Sequence, residues 1–295
     1  MARHTGPDNV FLPFCDTDEE DLVAEVKGRR LFDLDRQRLT HLDGMLAILH
    51  GPTLDDGVCM EIGYAAALRV PIIVLTTDFQ TYGPSKNGPP LAFPDPLVET
   101  VADQVVRAHR LGAPTEGSDR FTVFAKRNAT TIRAGIDQAV TALLERAAHP
   151  ASQTQVGGGG GTLFIEPTPY GPPSTDWTEL VREHKANATG QQRHARRLTS
   201  PDPLAAAAQD WAAATGSDTV IADLSGPETP PGAALLIGAA AATGRRVLAY
   251  CPGPAWTFAH GREPNWRNLM IQYAVTGKLA TACPRAAVAS PASAR

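Results

Sequence analysis

The chain lacks the features that would tie it to a membrane, to a nucleic acid or to an oxidising compartment. Its 4 cysteines among 295 residues show neither CxxC spacing nor the density of a disulfide framework. Its longest apolar runs, AAALRVPIIVL and GAALLIGAAAA, are interrupted by Arg69 and Pro71 or are too short to span a bilayer. A net charge of −4 gives no electrostatic reason to expect a nucleic-acid polymer as partner. We therefore expect a cytoplasmic protein that binds a small molecule and has no membrane segment.

What the chain does contain is an alternation of short apolar runs with helical segments. The strand-like runs are VFLPF (10–14), MLAILHG (45–51), PIIVLTT (71–77), TLFIEP (162–167), TVIADLS (219–225) and RVLAYCP (246–252). Helices are predicted at about 18–29, 33–42, 56–68, 95–112, 129–148, 174–190, 202–216, 231–243 and 265–279. This alternation predicts an α/β fold, with two doubly wound parallel-sheet domains of the Rossmann-like, flavodoxin-like kind.

A glycine-rich segment divides the chain almost in half. PASQTQVGGGGG (150–161) has few apolar residues and is typical of a flexible linker. A phosphate-binding loop is the alternative, but such a loop follows a strand and opens a helix, whereas these glycines precede a strand-like run. We predict a first domain at 1–149, a second at 162–280 and a disordered tail at 281–295.

The two halves carry an internal repeat. At an offset of 175 residues, positions 43–78 align with 218–253 without a gap. Gly51-Pro52, Gly57 and Ile62-Gly63 recur as the same residues in the second segment. Asp35 meets Asp210 upstream at the same offset. The repeated unit reads as helix, strand, turn, small-residue helix and strand, which is half of a doubly wound domain. The pattern predicts a tandem duplication.

The acidic residues of the first copy are absent from the second. LDDGVCMEIGYA (54–65) aligns with TPPGAALLIGAA (229–240), so that Asp55, Asp56 and Glu61 are replaced by two prolines and a leucine. Because an unpartnered carboxylate on a helix of small residues is costly to bury, packing alone does not account for these acids. We expect Asp56 to cap the helix and Glu61 to do nucleophilic or general-base chemistry. A solvated acid on the helix surface is the alternative for Glu61.

These residues resemble a known family. The segment DLDRQRLTHLDGMLAILHGPTLDDGVCMEIGYAAALRVPIIVLTTD (33–78), with its D-x-G-x-x-x-E-x-G-x-A core, is similar to the nucleoside 2-deoxyribosyltransferases and related nucleotide N-glycosidases. The resemblance implies that Glu61 attacks the anomeric carbon of a nucleoside and forms a glycosyl-enzyme intermediate. It implies that Asp55 binds sugar hydroxyls and that Asp35 helps to protonate the leaving base. A structural role remains the alternative for Asp35.

The resemblance also implies how the site is completed. In that family a neighbouring subunit donates an Asn from an N-L-M segment, and here RNLMIQYAV in the second half carries Asn268. Further substrate contacts are expected from Gly57, Met60 and Phe14, and no cofactor or metal is implied. We therefore expect a fused pseudo-dimer with one working site between its halves, and a homodimer of that unit as a further assembly.

Three departures bear on the activity. The first half begins at what corresponds to the second strand of the family, so that its first strand is missing or supplied by another part of the chain. The family's terminal Tyr has no counterpart in VASPASAR, and Cys59 replaces a small residue. They leave open whether the enzyme transfers or hydrolyses, whether the sugar is ribose or deoxyribose, and whether the substrate carries a 5′-phosphate. Lys86, Arg262 and Arg267 are candidate ligands of such a phosphate. A non-catalytic nucleotide-binding or regulatory module of the same fold is the alternative.

Overall fold

The computed structural model describes residues 5–12, 27–83, 90–108, 120–149, 162–169, 192–251 and 265–279. The elements of the first half, after a short 3-10 turn at Pro7–Asn9, are α1 (Lys27–Leu39), β1 (Met45–Leu49), α2 (Asp56–Ala67), β2 (Ile72–Thr76), α3 (Pro96–Val101), β3 (Gln104–Arg107) and α4 (Arg120–Ala148). Those of the second half are β4 (Leu163–Glu166), β5 (Gln192–His194), α5 (Pro203–Thr215), β6 (Thr219–Asp223), α6 (Pro231–Ala242), β7 (Arg246–Tyr250), α7 (Leu269–Ala274) and β8 (Gly277–Leu279).

Two parallel sheets organise these elements. The first has the order β1-β2-β3 and the second the order β5-β4-β6-β7-β8, and every neighbouring pair is parallel. All five residues of β2 are buried, as expected for a strand covered on both faces. Counted within the second half, the five strands follow the order 2-1-3-4-5, which is flavodoxin-like. The predicted α/β class with doubly wound, Rossmann-like parallel sheets is confirmed.

The two halves meet through α2 and α6, which pack directly on each other. A Cβ placed on Gly63 would lie 1.9 Å from the Leu235 carbonyl oxygen, and a Cβ on Gly238 would lie 1.9 Å from the Met60 carbonyl oxygen. Absence of a side chain at both glycines therefore brings the two helix backbones together. The contact is reciprocal, because each helix presents its glycine to the backbone of the other.

A second contact sets α1 against α7. The Phe32 and Tyr273 rings lie 6.0 Å apart between centroids, and the Arg29 guanidinium lies over both rings. This contact matters for the site, because α1 carries Asp35 and α7 begins just after Asn268.

Several predicted elements are wrong in type or length. The helix predicted at 95–112 is the short α3 followed by β3, and that at 265–279 is the short α7 followed by β8. Each helix ends where the backbone turns extended, at Ala102 with ψ 135° and at Val275 with ψ 127°. The strand β5 escaped prediction because QRH has no apolar run.

Other predictions fall partly or wholly outside the described residues. In the strand predicted at 10–14, residues 10–12 lie in no strand and residues 13 and 14, including Phe14, are outside. The helix at 174–190, the linker at 150–161 and the tail at 281–295 are likewise outside, as is most of the helix at 18–29. Among the helices that the structure does describe, none is long and apolar enough to cross a membrane.

Candidate active site

The helix α2 begins at a carboxylate cap. Asp55 has an extended backbone, with φ −60° and ψ 123°, and its Oδ1 accepts a hydrogen bond from the Val58 amide at 2.8 Å. This corrects the prediction that Asp56 is the cap, since Asp56 is the first helical residue. The cap fixes the Asp55 side chain at the mouth of the helix, where it remains exposed.

Asp56 turns toward the second half. Burial raises the pKa of this carboxyl group, and the nearby Thr229 hydroxyl and Arg267 guanidinium oppose the rise. Thr229 is only 2% exposed. It aligns with Leu54 at the 175-residue offset, and this exchange of an apolar residue for a hydroxyl is a signal that the sequence comparison could have used.

Asn268 reaches the same place from the second half. It caps α7, with Oδ1 accepting a hydrogen bond from the Met270 amide at 2.9 Å. Its amide nitrogen then faces Gly57, where an added Cβ would lie 2.8 Å from Asn268 Nδ2 and 3.1 Å from Asp55 Oδ1. A carboxylate of the first half and an amide of the second thus meet over a glycine, which leaves room for both.

Glu61 lies a little over one turn further along α2 and is partly buried. Burial first, and then the Asp35 and Asp55 carboxylates, raise the pKa of Glu61 to about 7. Asp35 also lies 3.6 Å from the Arg38 guanidinium on its own helix. The carboxyl groups of residues 35, 55 and 61 therefore act on one another electrostatically, although they come from two separate elements.

A cavity of about 350 Å³ opens in front of Asp55. Residues 53–56 line one side, and the other side is formed by residues 227–229 and 265–268 of the second half. Glu61 and Met60 are not part of this lining, and Met60 is fully buried in the core. The cavity is thus shared between the halves.

Arg267 braces the wall of the cavity. Its guanidinium donates to the carbonyl oxygens of Leu224, Gly226 and Trp266. These bonds use its Nη atoms to tie the start of α7 to the turn after β6, which favours a structural role over phosphate binding. The other two candidate phosphate ligands, Lys86 and Arg262, lie outside the described residues.

The family model described as nucleoside 2-deoxyribosyltransferase matches residues 1–149. The chain belongs to the nucleoside 2-deoxyribosyltransferase family. No curated protein and no solved structure matches it. Membership indicates a transferase-type enzyme of nucleosides, and the match covers the half that carries Asp35, Asp55 and Glu61.

Proposed function

We propose that the protein cleaves or transfers the N-glycosidic bond of a (deoxy)nucleoside or nucleotide through a covalent glycosyl-Glu61 intermediate. The observation that carries the proposal is the convergence of three first-half carboxyl groups at residues 35, 55 and 61, with the second-half amide of Asn268 facing Gly57 and Asp55. A cavity opens beside two of these residues, Asp55 and Asn268. Family membership supports the same chemistry.

The reaction has two steps. The Glu61 carboxylate attacks the anomeric carbon, the bond from that carbon to the base nitrogen breaks, and the base leaves with the bonding electron pair while Asp35 supplies a proton. A second base, or water, then attacks the same carbon, gives its proton to the Asp35 carboxylate and releases Glu61. Two displacements at one carbon retain the configuration of the sugar, as in retaining glycosidases.

The environment of Glu61 suits this role. A carboxyl group with a pKa of about 7 is substantially ionised at neutral pH and poorly solvated, so that its oxygen is available for attack. Glu61 loses its charge when the ester forms, which removes its repulsion with the Asp55 carboxylate.

Asp55 and Asn268 would hold the sugar. Asp55 Oδ1 already caps α2, and a carboxylate has further lone pairs to accept hydrogen bonds from hydroxyl groups. The Asn268 amide can donate to a substrate oxygen next to it. Because this donor comes from the second half, the proposal makes the molecule a fused pseudo-dimer with one working site.

Incubation with a panel of nucleosides and 5′-monophosphates tests the proposal. A new nucleoside in the presence of a second base indicates transfer, and free sugar indicates hydrolysis. We expect Glu61→Gln to lower kcat by about 10⁴-fold or more, and Glu145→Gln, at an exposed position on α4, to leave it unchanged. Mass spectrometry of quenched wild-type enzyme should find the sugar on the peptide that contains Glu61. Full activity of Glu61→Gln would exclude the mechanism, and binding without turnover would favour a non-catalytic module.

A further inference from the structure

A buried arginine lies in the second half against the start of α6. Arg197 is 1% exposed and donates from Nε and Nη2 to the two carboxylate oxygens of Asp95, at 2.7 and 2.9 Å. It also donates from Nη1 and Nη2 to the two oxygens of Glu166, at 2.9 and 2.5 Å. Both pairs have the two-point geometry that a planar guanidinium makes with a carboxylate.

The third carboxylate around Arg197 is Asp210. One of its oxygens lies 3.5 Å from Nη1, and the carboxylate accepts hydrogen bonds from the main-chain amides of Arg196 and Arg197. At the 175-residue offset Asp210 corresponds to Asp35 of the open site. The aspartate that aligns with Asp35 therefore lies beside a buried cation in the second half.

Asp95 corresponds in its geometry to Asn268. Each residue caps a six-residue helix, α3 or α7, and each accepts a hydrogen bond from the amide two residues on, at 3.0 Å from Leu97 and 2.9 Å from Met270. Each also reaches across to the other half of the molecule. In the second half, however, the capping carboxylate is committed to Arg197.

The guanidinium lies directly against the start of α6. A Cβ placed on Gly232, the counterpart of Gly57, would lie 2.0 Å from Arg197 Nη2 and 2.2 Å from Asp95 Oδ2. In the first half the corresponding glycine faces an amide and a capping carboxylate at the edge of an open cavity. The second half has its own counterpart of the open cavity, about 380 Å³ in volume and lined by Asp95 and Pro230, and neither Arg197 nor Glu166 is part of its lining.

We propose that Arg197 is a built-in ligand that fills the carboxylate cluster of the second of two corresponding sites. The cluster is a guanidinium-binding site made by carboxylates of both halves, with the chain itself as the occupant. This proposal depends on the proposed correspondence of the halves and not on any enzymatic activity. It agrees with the sequence of the second half, which has Pro230 and Leu236 where the first half has Asp55 and Glu61.

Chemical rescue tests the proposal. Arg197→Ala leaves three carboxylates around an unfilled space, and we expect its melting temperature to fall by about 10 °C. Methylguanidinium should bind this variant at one per chain in calorimetry and restore much of the melting temperature, because it supplies the missing forked donor. Methylammonium should do so far less well, since it lacks the fork.

Two controls make the result specific. Arg245 donates to the main-chain carbonyl of Ser217, so Arg245→Ala should show no rescue, and the wild type should not bind methylguanidinium. Asp95→Asn combined with Arg197→Ala should weaken methylguanidinium binding by about tenfold, since a charged hydrogen-bond partner is lost.

If Arg197→Ala does not fold, a second variant tests the proposal. Arg197→Ala with Asp210→Asn removes one uncompensated charge and keeps the four oxygens that pair with the guanidinium. Folded protein in either variant that does not bind methylguanidinium would overturn the proposal, as would equal rescue by methylammonium. These measurements contain no nucleoside, so their outcome is separate from that of the proposed activity.

Discussion

The open site and the filled site share a backbone arrangement and differ in a few side chains. Both have a glycine at the start of a helix and a capping residue from the opposite half. At the open site the cap is Asn268, and carboxyl groups face a cavity. At the filled site the cap is Asp95, and Arg197 occupies the space. The comparison teaches that one backbone arrangement accepts either a capping amide or a capping carboxylate that pairs with a buried arginine.

Neighbouring charges affect the key side chain of each site in opposite ways, since they stabilise the charged form of Arg197 and destabilise that of Glu61. At the filled site Asp95 and Glu166 raise the pKa of Arg197 well above its ordinary value, despite complete burial. Among the described residues that shift the pKa of Glu61 there is no such cation, and burial and two neighbouring acids raise it. The filled site thus pairs its acids internally, whereas at the open site neighbouring acids repel the Glu61 carboxylate.

The largest effect is expected at the helix contact on which both sites depend. Gly63→Ala and Gly238→Ala each place a methyl group 1.9 Å from a backbone carbonyl oxygen. Because backbone cannot move aside locally, we expect each to lower the free energy of unfolding by about 3 kcal/mol or more. Denaturant titration measures the loss. Gly135→Ala on α4 is the control, since the atoms nearest to its methyl would be Ala108 Cβ at 3.1 Å and Leu75 Cδ1 at 3.5 Å, and no backbone carbonyl would lie that close. A neutral Gly63→Ala would show that the helices are not in contact.

A reciprocal exchange of the two caps should separate activity from stability. Asn268→Asp keeps a capping oxygen but puts a carboxylate beside Asp55, and we expect kcat/KM to fall about 100-fold with little change in stability. Asp95→Asn keeps its cap but weakens the pairing with Arg197, and we expect a loss of about 2 kcal/mol in stability with activity retained. Nucleoside kinetics and thermal unfolding of both variants check this. The comparison fails if both exchanges affect the same property.

The pKa of Glu61 predicts opposite trends in activity and stability with pH. Activity should rise with pH through about 7 and then level off, because the nucleophile must be ionised. The folded pKa is above the ordinary 4.5, so the folded state binds this proton more tightly than the unfolded state. The stability that it contributes is complete below about pH 4.5 and is lost as pH rises to about 7.

Glu61→Gln isolates the second trend. At pH 8 the variant should be more stable than the wild type by up to a few kcal/mol, and near pH 4.5 the two should be equal. Thermal unfolding across pH measures the difference. A constant difference at all pH values would mean that Glu61 does not titrate in this range.

The smallest effect is expected from restoring a cap in the second half. Pro230 stands at the N-cap of α6 and makes no side-chain cap hydrogen bond. Pro230→Ser adds a capping hydroxyl but loses the restriction that proline imposes on the unfolded chain, so the net change should be within about 0.5 kcal/mol. Activity should not change. An appearance of a second nucleoside-binding event in calorimetry would contradict the view that Arg197 closes this site.

Sequence pattern was sufficient for the parts of the fold that local preference dictates. The buried strand IIVLT and the small-residue helix around Gly63 were predicted because an unbroken apolar run and a glycine-alanine helix have few alternatives in a parallel sheet. The same pattern failed at residues 95–112, where a short capped helix turns into a strand. Residues 104–107 form a strand because they pair with β2, and this pairing is a tertiary contact that the local sequence does not show.

The site, like the fold, has features that the sequence indicated and features that only the structure revealed. Asp55 and Glu61 were predicted from the sequence because the aligned positions of the second half lack these acids, whereas Asp35 and Asn268 were predicted from the family resemblance. Only the tertiary structure decided that Asp55 rather than Asp56 caps α2, that the Asn268 amide meets Gly57, and that Arg197 fills the second site. The physical reason is that charge and hydrogen-bond partners far apart in the chain, such as Asp95 and Arg197, leave no periodic signal in sequence.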